Sequence, residues 1–303
     1  TVSDTALTVM NSSANQSINR QHSFNSPVLK ATSGKYLIYN LGGNGFKIEG
    51  SSDTIYSGNT SNNIIAGDIA GSGRYALVTE TQGYPSSLSV YLTDNTVQYK
   101  YDFSEYYVTD ISLNSDGTRA AVSGITAKDG GIVSAVYIFD FSNPEPIAIL
   151  TYNEVLMEKV EYMDNGTVAA IGDTTTSMIN GTTGEKVDYN YQSRQMTDYA
   201  IDKNRVALAL TPYDNQSASK LVILDSSASE KCVIESQDKI DAVSLYGDTA
   251  AILTDSTITG YSASSGNSFS TAEAGSDARG IALADEATVY VLGVSQVRQA
   301  RFS

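Results

Sequence analysis

Charged residues occupy equivalent places in a pattern that recurs along this chain. Each stands one or two positions before an apolar residue at the centre of a short strand-like segment. They are Asp68, Asp110, Lys159, Asp198, Asp241 and Arg279. If such segments line a common channel, the carboxylates converge at its mouth and could hold a hard cation such as Ca²⁺, which prefers oxygen ligands. The sequence therefore predicts a binding site there, with the metal left open.

Two other roles are open to the same carboxylates. They could bind a polar ligand, or titrate with raised pKa values because like charges resist joint ionisation. They could also accept hydrogen bonds from backbone amides and water, which would make them structural.

The sequence holds no recognisable catalytic set. His22 is the single histidine, and no Gly-x-Ser-x-Gly elbow accompanies it, so Ser-His-Asp catalysis is disfavoured. Cys232 is the single cysteine, which excludes an intrachain disulfide and a Cys-x-x-Cys metal motif. There is no tryptophan for stacking sugars, although Tyr101, Tyr106 and Tyr107 could take that role. We therefore assign no catalytic residue and expect no resident cofactor.

The elements that would position the charged residues repeat at the spacing of propeller blades. Seven apolar markers stand 38 to 49 residues apart along the chain. The markers are Val28, Ile69, Ile111, Val160, Tyr199, Val243 and Ile281. After each marker come a tight turn, an apolar strand, an alternating strand and a polar strand, which is typical of a four-stranded blade. We predict one all-β domain over residues 1–303, a seven-bladed β-propeller of four-stranded antiparallel blades.

The two ends of the chain fit a closed ring. Ile281 leaves room for only about three strands before the C-terminus. Residues 16–24 could supply the missing strand, so that the first and last blades share one sheet and no edge is exposed. Residues 1–15 would then form an N-terminal segment. An irregular β-sandwich or a β-helix is the alternative fold.

Composition and charge disfavour several classes of partner. The 20 tyrosines and 24 glycines suit strands and turns. The net charge of −15 repels phosphate backbones, so nucleic-acid binding is not expected. No stretch is long and apolar enough to cross a bilayer. Because the chain begins at Thr1, we expect a signal peptide or membrane anchor to precede it in the full-length protein.

Several stretches of the chain resemble known propeller sequences. The turn Asn114-Ser115-Asp116-Gly117-Thr118-Arg119 is similar to the blade turn of WD-repeat-like and TolB-like propellers. The stretches Ser26-Pro27-Val28, Tyr39-Asn40-Leu41-Gly42-Gly43 and Tyr107-Val108-Thr109-Asp110-Ile111 resemble an uncharacterised family of Gram-positive bacterial proteins, a domain of unknown function. Members of that family have one membrane-spanning helix and an extracytoplasmic propeller. The resemblance implies a membrane-tethered, cell-surface protein and implies no activity.

The leading functional hypothesis is a non-catalytic, extracytoplasmic binding or scaffold module. We expect a monomer that recognises a protein, a peptide or a cell-wall glycan through one loop face. The loops are residues 79–87, 124–131 and 211–219, which would all join the second and third strands of a blade. The alternative is a metal-dependent hydrolase or lactonase-like enzyme that uses the channel carboxylates.

Overall fold

The protein is built from strands alone. The computed structural model describes residues 1–11, 16–214 and 218–302, and within these ranges the chain forms 29 strands and no helix. The first two strands, β1 (Ala6–Met10) and β2 (Gln16–Gln21), pair with each other in a two-stranded sheet. No helix in the described residues is a candidate membrane span.

The remaining strands form seven sheets, and in each sheet the strands pair in chain order. Sheet 1 contains β3 (Pro27–Thr32), β4 (Lys35–Asn40), β5 (Gly45–Gly50) and β6 (Thr54–Asn59). Sheet 2 contains β7 (Ile64–Ile69), β8 (Tyr75–Thr79), β9 (Ser86–Tyr91) and β10 (Val97–Phe103). Sheet 3 contains β11 (Tyr107–Leu113), β12 (Arg119–Lys128), β13 (Gly131–Asp140) and β14 (Ala148–Asn153). Sheet 4 contains β15 (Met157–Tyr162), β16 (Thr167–Gly172), β17 (Thr175–Asn180) and β18 (Lys186–Asn190).

Sheet 5 contains β19 (Arg194–Asp202), β20 (Arg205–Pro212), β21 (Ser219–Asp225) and β22 (Glu230–Ser236). Sheet 6 contains β23 (Ala242–Tyr246), β24 (Thr249–Thr254), β25 (Thr257–Ser262) and β26 (Ser268–Glu273). Sheet 7 has three strands, β27 (Gly280–Leu283), β28 (Thr288–Leu292) and β29 (Val297–Arg301). Every predicted marker residue lies in the first strand of a sheet, so the all-β prediction and the four-stranded antiparallel unit are confirmed.

The described residues fall into two compact units. Unit 1 comprises residues 1–11, 16–172 and 179–186, and unit 2 comprises residues 173–178, 187–214 and 218–302. Unit 1 therefore contains the β1–β2 pair and sheets 1 to 3, and unit 2 contains sheets 5 to 7.

The burial of each strand follows from its place in the sheet. β8 is buried along almost its whole length, since sheets cover both of its faces. β6 alternates between exposed and half-buried residues because one of its faces meets water. Between sheets 2 and 3 of unit 1 lies an aromatic cluster, in which the rings of Phe103 and Tyr137 meet edge-to-face at 5.1 Å. In unit 2, Ile223, Ile240 and Val243 belong to the corresponding aliphatic core.

The turn after β11 has the chemistry that the sequence predicts. Gly117 has a φ of 69°, which is unstrained only for glycine. The Asp116 carboxylate accepts hydrogen bonds from the Thr118 amide at 2.9 Å and the Thr118 hydroxyl at 2.6 Å. The same arrangement recurs at Asp94 with Thr96 and at Asp140 with Ser142. Self-capped turns of this kind therefore mark one end of sheets 2 and 3.

Residues 124–131 are not the loop that the sequence predicts. β12 continues to Lys128 and β13 begins at Gly131, so the two strands form a regular hairpin of ten residues each. The two turn residues, Asp129 and Gly130, have φ values of 52° and 83°. An Asp-Gly pair suits the positive φ angles of a two-residue hairpin turn, and this signal outweighs the polar composition of the segment.

Two other predicted segments are the closing segment and the loop at residues 211–219. In the proposed closing segment, residues 16–24, the strand β2 pairs with β1 over residues 6–10. The pair packs on sheet 1, where the Lys47 ammonium donates to the Gln21 carbonyl at 2.9 Å. Ring closure stays a prediction. The predicted loop 211–219 includes residues 215–217, which lie outside the described residues.

Candidate functional site

In unit 1 the predicted channel residue Asp110 lies at the centre of an ionic cluster. Its carboxylate is 3.1 Å from the Lys30 ammonium and 3.2 Å from the Lys159 ammonium. Lys159 also pairs with Glu161 at 3.0 Å. The Val160 amide donates a hydrogen bond of 3.2 Å to the same Asp110 carboxylate. The first strands of sheets 1, 3 and 4 therefore place their charges together, and each of these charges has an opposite partner.

Asp68 has a similar role one sheet earlier. The Leu113 amide on β11 donates to its carboxylate at 2.7 Å. Burial raises the pKa of Asp68 to about 6, while the Lys30 charge and the Leu113 amide act in the opposite direction. The phenol of Tyr39 is buried beside this cluster. Its pKa is raised, by burial first and by the charge of Asp110 next.

These hydrogen bonds connect the first strands of neighbouring sheets. Besides the bond from Val160 to Asp110, the Tyr162 amide donates to the Ser112 hydroxyl at 3.0 Å. Asp110 and Ser112 are two residues apart on β11, as are Val160 and Tyr162 on β15. β11 and β15 therefore run side by side in the same direction, joined by two side-chain-to-backbone hydrogen bonds. We call these contacts strand braces.

Unit 2 repeats the same device. The Val243 amide on β23 donates to the Asp198 carboxylate on β19 at 2.7 Å, and burial raises the pKa of Asp198. One sheet further, the Leu283 amide donates to the Ser244 hydroxyl at 2.9 Å. Strand braces therefore occur in both units.

Asp241 and Arg279 do not lie on the strands where the pattern places them. Each immediately precedes a first strand, β23 or β27, and each is exposed. Asp241 pairs with Lys239 at 3.4 Å, and its backbone amide donates to the Leu253 carbonyl. The structure therefore brings Asp110 and Lys159 into one cluster, with Asp68 braced beside it, and places Asp241 and Arg279 at strand entrances.

The carboxylates of the strand braces are arranged for support. Among the described residues, no group of three or more His, Cys, Asp or Glu side chains is placed to hold a metal ion. The carboxylate oxygens that could have faced Ca²⁺ instead accept hydrogen bonds from backbone amides and lysine ammonium groups. This arrangement matches the structural role that the sequence left open.

The histidine, the cysteine and two of the tyrosines considered for chemistry also have structural roles. His22 stacks on Phe24 with ring centroids 5.2 Å apart. Cys232 is buried, which raises the pKa of its thiol and lowers its reactivity. Tyr101 packs edge-to-face on Phe103, at 5.1 Å. It belongs to the aromatic core of unit 1, which also holds Tyr106, so these two tyrosines are not free to stack on a sugar.

A second surface of unit 1 contains parts of two segments of the predicted loop face, residues 79–87 and 124–131. We call it the hairpin face, because it contains the second-to-third-strand turns and the links between sheets. It comprises residues 41–44, 60–63, 80–85, 104–107, 128–132 and 154–156. Four large apolar side chains are exposed on it, Leu41 at 46%, Tyr84 at 47%, Tyr107 at 62% and Ile132 at 47%.

Hydrogen bonds hold the sheets side by side at the hairpin face. The Val108 amide donates to the buried Ser86 hydroxyl at 3.1 Å, which ties β11 to β9. The Met157 amide donates to the buried Ser134 hydroxyl at 3.0 Å, and Ser134 donates in turn to the Val155 carbonyl at 2.7 Å. The surface is therefore carried on fixed strands.

The β12–β13 hairpin projects from this face. The last β12 residue that pairs with β11 is Ile125, and β14 ends opposite Val133. β12 thus extends three residues past β11, or about 10 Å, and β13 extends two residues past β14, or about 7 Å. Beside the tip lies an open groove of about 400 Å³. It is lined by Lys128, Asp129, Gly131, Ile132, Val133, Asn153 and Glu154.

Comparison with known sequences identifies the family. The profile of a family of unknown function, DUF5711, matches residues 1–301. The chain belongs to the DUF5711 family. Among curated proteins, no match was found for this DUF5711 chain.

Solved structures similar to the DUF5711 chain share its fold. The computationally designed Ika8 protein is 15% identical with a TM-score of 0.66, over 99% of this chain and 91% of that one. BamB from Moraxella catarrhalis is 10% identical with a TM-score of 0.59, over 96% and 89%. A chain of the Mitotic Checkpoint Complex is 10% identical with a TM-score of 0.58, over 91% and 86%. The structural neighbours are β-propeller proteins, so the DUF5711 chain has a propeller-like fold.

Proposed function

We propose that this DUF5711 chain is a non-catalytic scaffold that binds a protein through the hairpin face of unit 1. The observation that carries the proposal is the exposure of Leu41, Tyr84, Tyr107 and Ile132 at one end of consecutive sheets. Large apolar side chains exposed on a fixed surface are typical of interaction sites. The neighbouring fold in the Mitotic Checkpoint Complex supports a role within a protein assembly.

We also propose that the seven sheets form a closed seven-bladed ring. Sheets 1 to 6 have four strands and sheet 7 has three, and closure would require β2 to pair with β29 as well as with β1, its partner in the structure. Hydrogen exchange on a chain lacking residues 1–24 tests this proposal. If the ring is closed, the amides of β29 should exchange faster than in the intact chain, because the proposed pairing with β2 would be removed. Unchanged exchange at β29 would contradict closure.

We propose an extracytoplasmic location for the chain, as a monomer tethered to the membrane through an anchor elsewhere in the full-length protein. The support for this location is the sequence resemblance described above. Protease treatment of intact cells, with the full-length protein tagged, tests the location. Digestion of the propeller without cell lysis is the expected result, and protection would contradict it.

Site-specific photo-crosslinking tests the binding proposal. A benzoylphenylalanine at Ile132 on the hairpin face should crosslink a protein in native cells. The same probe at Ile149, a 49% exposed residue on the outer strand β14, should not crosslink that protein. A crosslink from Ile149 alone would place the interface on the outer strands.

The crosslinked protein is then purified and its affinity for variants is measured. The variant Tyr84→Ser, Tyr107→Ser, Ile132→Ser should bind it at least about tenfold more weakly, because apolar anchors dominate such interfaces. The control variant Ile55→Ser, Val97→Ser, Ile149→Ser removes side chains of similar exposure from outer strands and should bind normally. Equal affinity of the two variants would refute the proposal.

A further inference from the structure

We propose that the segment recognised by the hairpin face is a cationic stretch of polypeptide with an apolar side chain beside its Lys or Arg residues. This inference rests on the proposed function, since it names the chemistry of the partner for the same surface. It is carried by the groove next to the β12–β13 hairpin and by the charges around it.

The apolar part of the proposal comes from Ile132. Its side chain is nearly half exposed and lines the groove, whereas the adjacent Val133 is buried. The Glu154 amide donates to the Ile132 carbonyl at 2.8 Å, so the backbone under the groove is fixed. An apolar side chain of a partner that enters the groove would remove Ile132 from water without a rearrangement of the hairpin.

The cationic part comes from the carboxylates of the hairpin face. Asp129 and Glu154 line the groove, and Glu80 and Glu105 lie in the neighbouring links and turns of the face. All four acidic residues are exposed, and they outnumber the single cation of this face, Lys128. A face with this charge attracts a basic segment and repels an acidic one, which gives both speed and selectivity to association.

At the opposite end of the sheets, three carboxylates are engaged by their own turns. There the carboxylates of Asp94, Asp116 and Asp140 accept hydrogen bonds from the turn that follows each of them. Asp140 is further paired with Arg119 at 3.1 Å. These three carboxylates are therefore used within the protein, whereas Asp129 and Glu154 border an open groove.

Fluorescence anisotropy with three labelled peptides tests the inference. The first is a short peptide of Lys, Leu and Ser, the second carries Glu in place of every Lys, and the third carries Ser in place of every Leu. The face variant is Glu80→Gln, Glu105→Gln, Asp129→Asn, Glu154→Gln. The control variant, Asp53→Asn, Glu145→Gln, Asp164→Asn, Glu185→Gln, removes the same number of exposed carboxylates from the opposite end.

The Lys-Leu peptide should bind the wild-type chain and the control variant with similar affinity, and the face variant about tenfold more weakly. It should also bind more tightly than the Glu-Leu and Lys-Ser peptides. Equal weakening in both variants would mean general attraction to the acidic chain and would overturn the inference, as would preference for the Glu-Leu peptide. If only this inference is wrong, the crosslink from Ile132 should still form. If the proposed function is wrong, that crosslink should be absent.

Discussion

Neutralising Asp68 should change how the stability of the protein depends on pH. The Asp68 carboxylate on β7 accepts a hydrogen bond of 2.7 Å from the Leu113 amide. The side-chain oxygen of an asparagine could accept the same hydrogen bond. Burial raises the pKa of this carboxyl from 3.8 to about 6. The variant Asp68→Asn removes the ionisation and keeps the size of the side chain.

The sign follows from proton binding. Between pH 3.8 and about 6 the folded state holds a proton on Asp68 that the unfolded state releases. The free energy of unfolding therefore falls as the pH rises through this window and is level above it. Since one pKa unit corresponds to ~1.4 kcal/mol, ionised Asp68 lowers the stability of the wild-type chain by about 2–3 kcal/mol at neutral pH.

Urea unfolding followed by tyrosine fluorescence measures the effect, at pH values from about 4 to 7.5. The free energy of unfolding of Asp68→Asn minus that of the wild type should increase by about 2–3 kcal/mol across this range. A destabilisation by the amide that does not depend on pH would leave this increase unchanged. A pH-independent difference would refute the reasoning.

The control variant Asp225→Asn should behave in the opposite way. Burial acts to raise the pKa of Asp225, but hydrogen bonds from Lys231 and Ser227 outweigh it and hold the pKa below 3.8. Wild-type stability from this group is present above pH 3.8 and is lost as the pH falls below that value. The advantage of the wild type over Asp225→Asn should therefore narrow only in acid.

Three further substitutions test the packing of unit 1, each by the change in the free energy of unfolding. Ser134→Ala leaves the buried Met157 amide without its acceptor and should cost about 1–3 kcal/mol; a neutral result would mean that water replaces the hydroxyl. Phe103→Ala opens the aromatic cluster and should cost about 3–5 kcal/mol, so a loss below about 1 kcal/mol would contradict its central place. Gly117→Ala should destabilise by more than about 1 kcal/mol, because its φ is 69° and a Cβ would lie 2.7 Å from that of Arg74; wild-type stability would contradict this.

The repeating part of the fold could be read from the sequence because its signals are local. Asp116-Gly117 predicts the turn after β11, and the apolar run after it predicts the buried strand β12. Asp129-Gly130 carries the same signal, and the chain forms a regular hairpin there instead of the predicted loop. At this position the two-residue turn signal outweighs the composition of the segment.

The candidate sites could be predicted only in part because they depend on contacts between sheets. The position of Asp110 before its marker was readable, whereas its bond to the Val160 amide depends on the register of two strands 50 residues apart. The hairpin face illustrates the same limit. Tyr106 and Tyr107 are adjacent and chemically identical, yet Tyr106, just before β11, is buried and Tyr107, its first residue, is 62% exposed.

The strand braces have a consequence for how such a chain can vary. In each brace one strand supplies a side chain and the next supplies only its backbone N–H, as Val160 and Tyr162 do for β11. Any residue except proline can donate from the backbone. The requirement for a particular side chain therefore falls on only one blade of each pair. The residue that donates its backbone N–H on the other blade is free to change. Blades joined in this way can diverge in sequence while they keep their spacing.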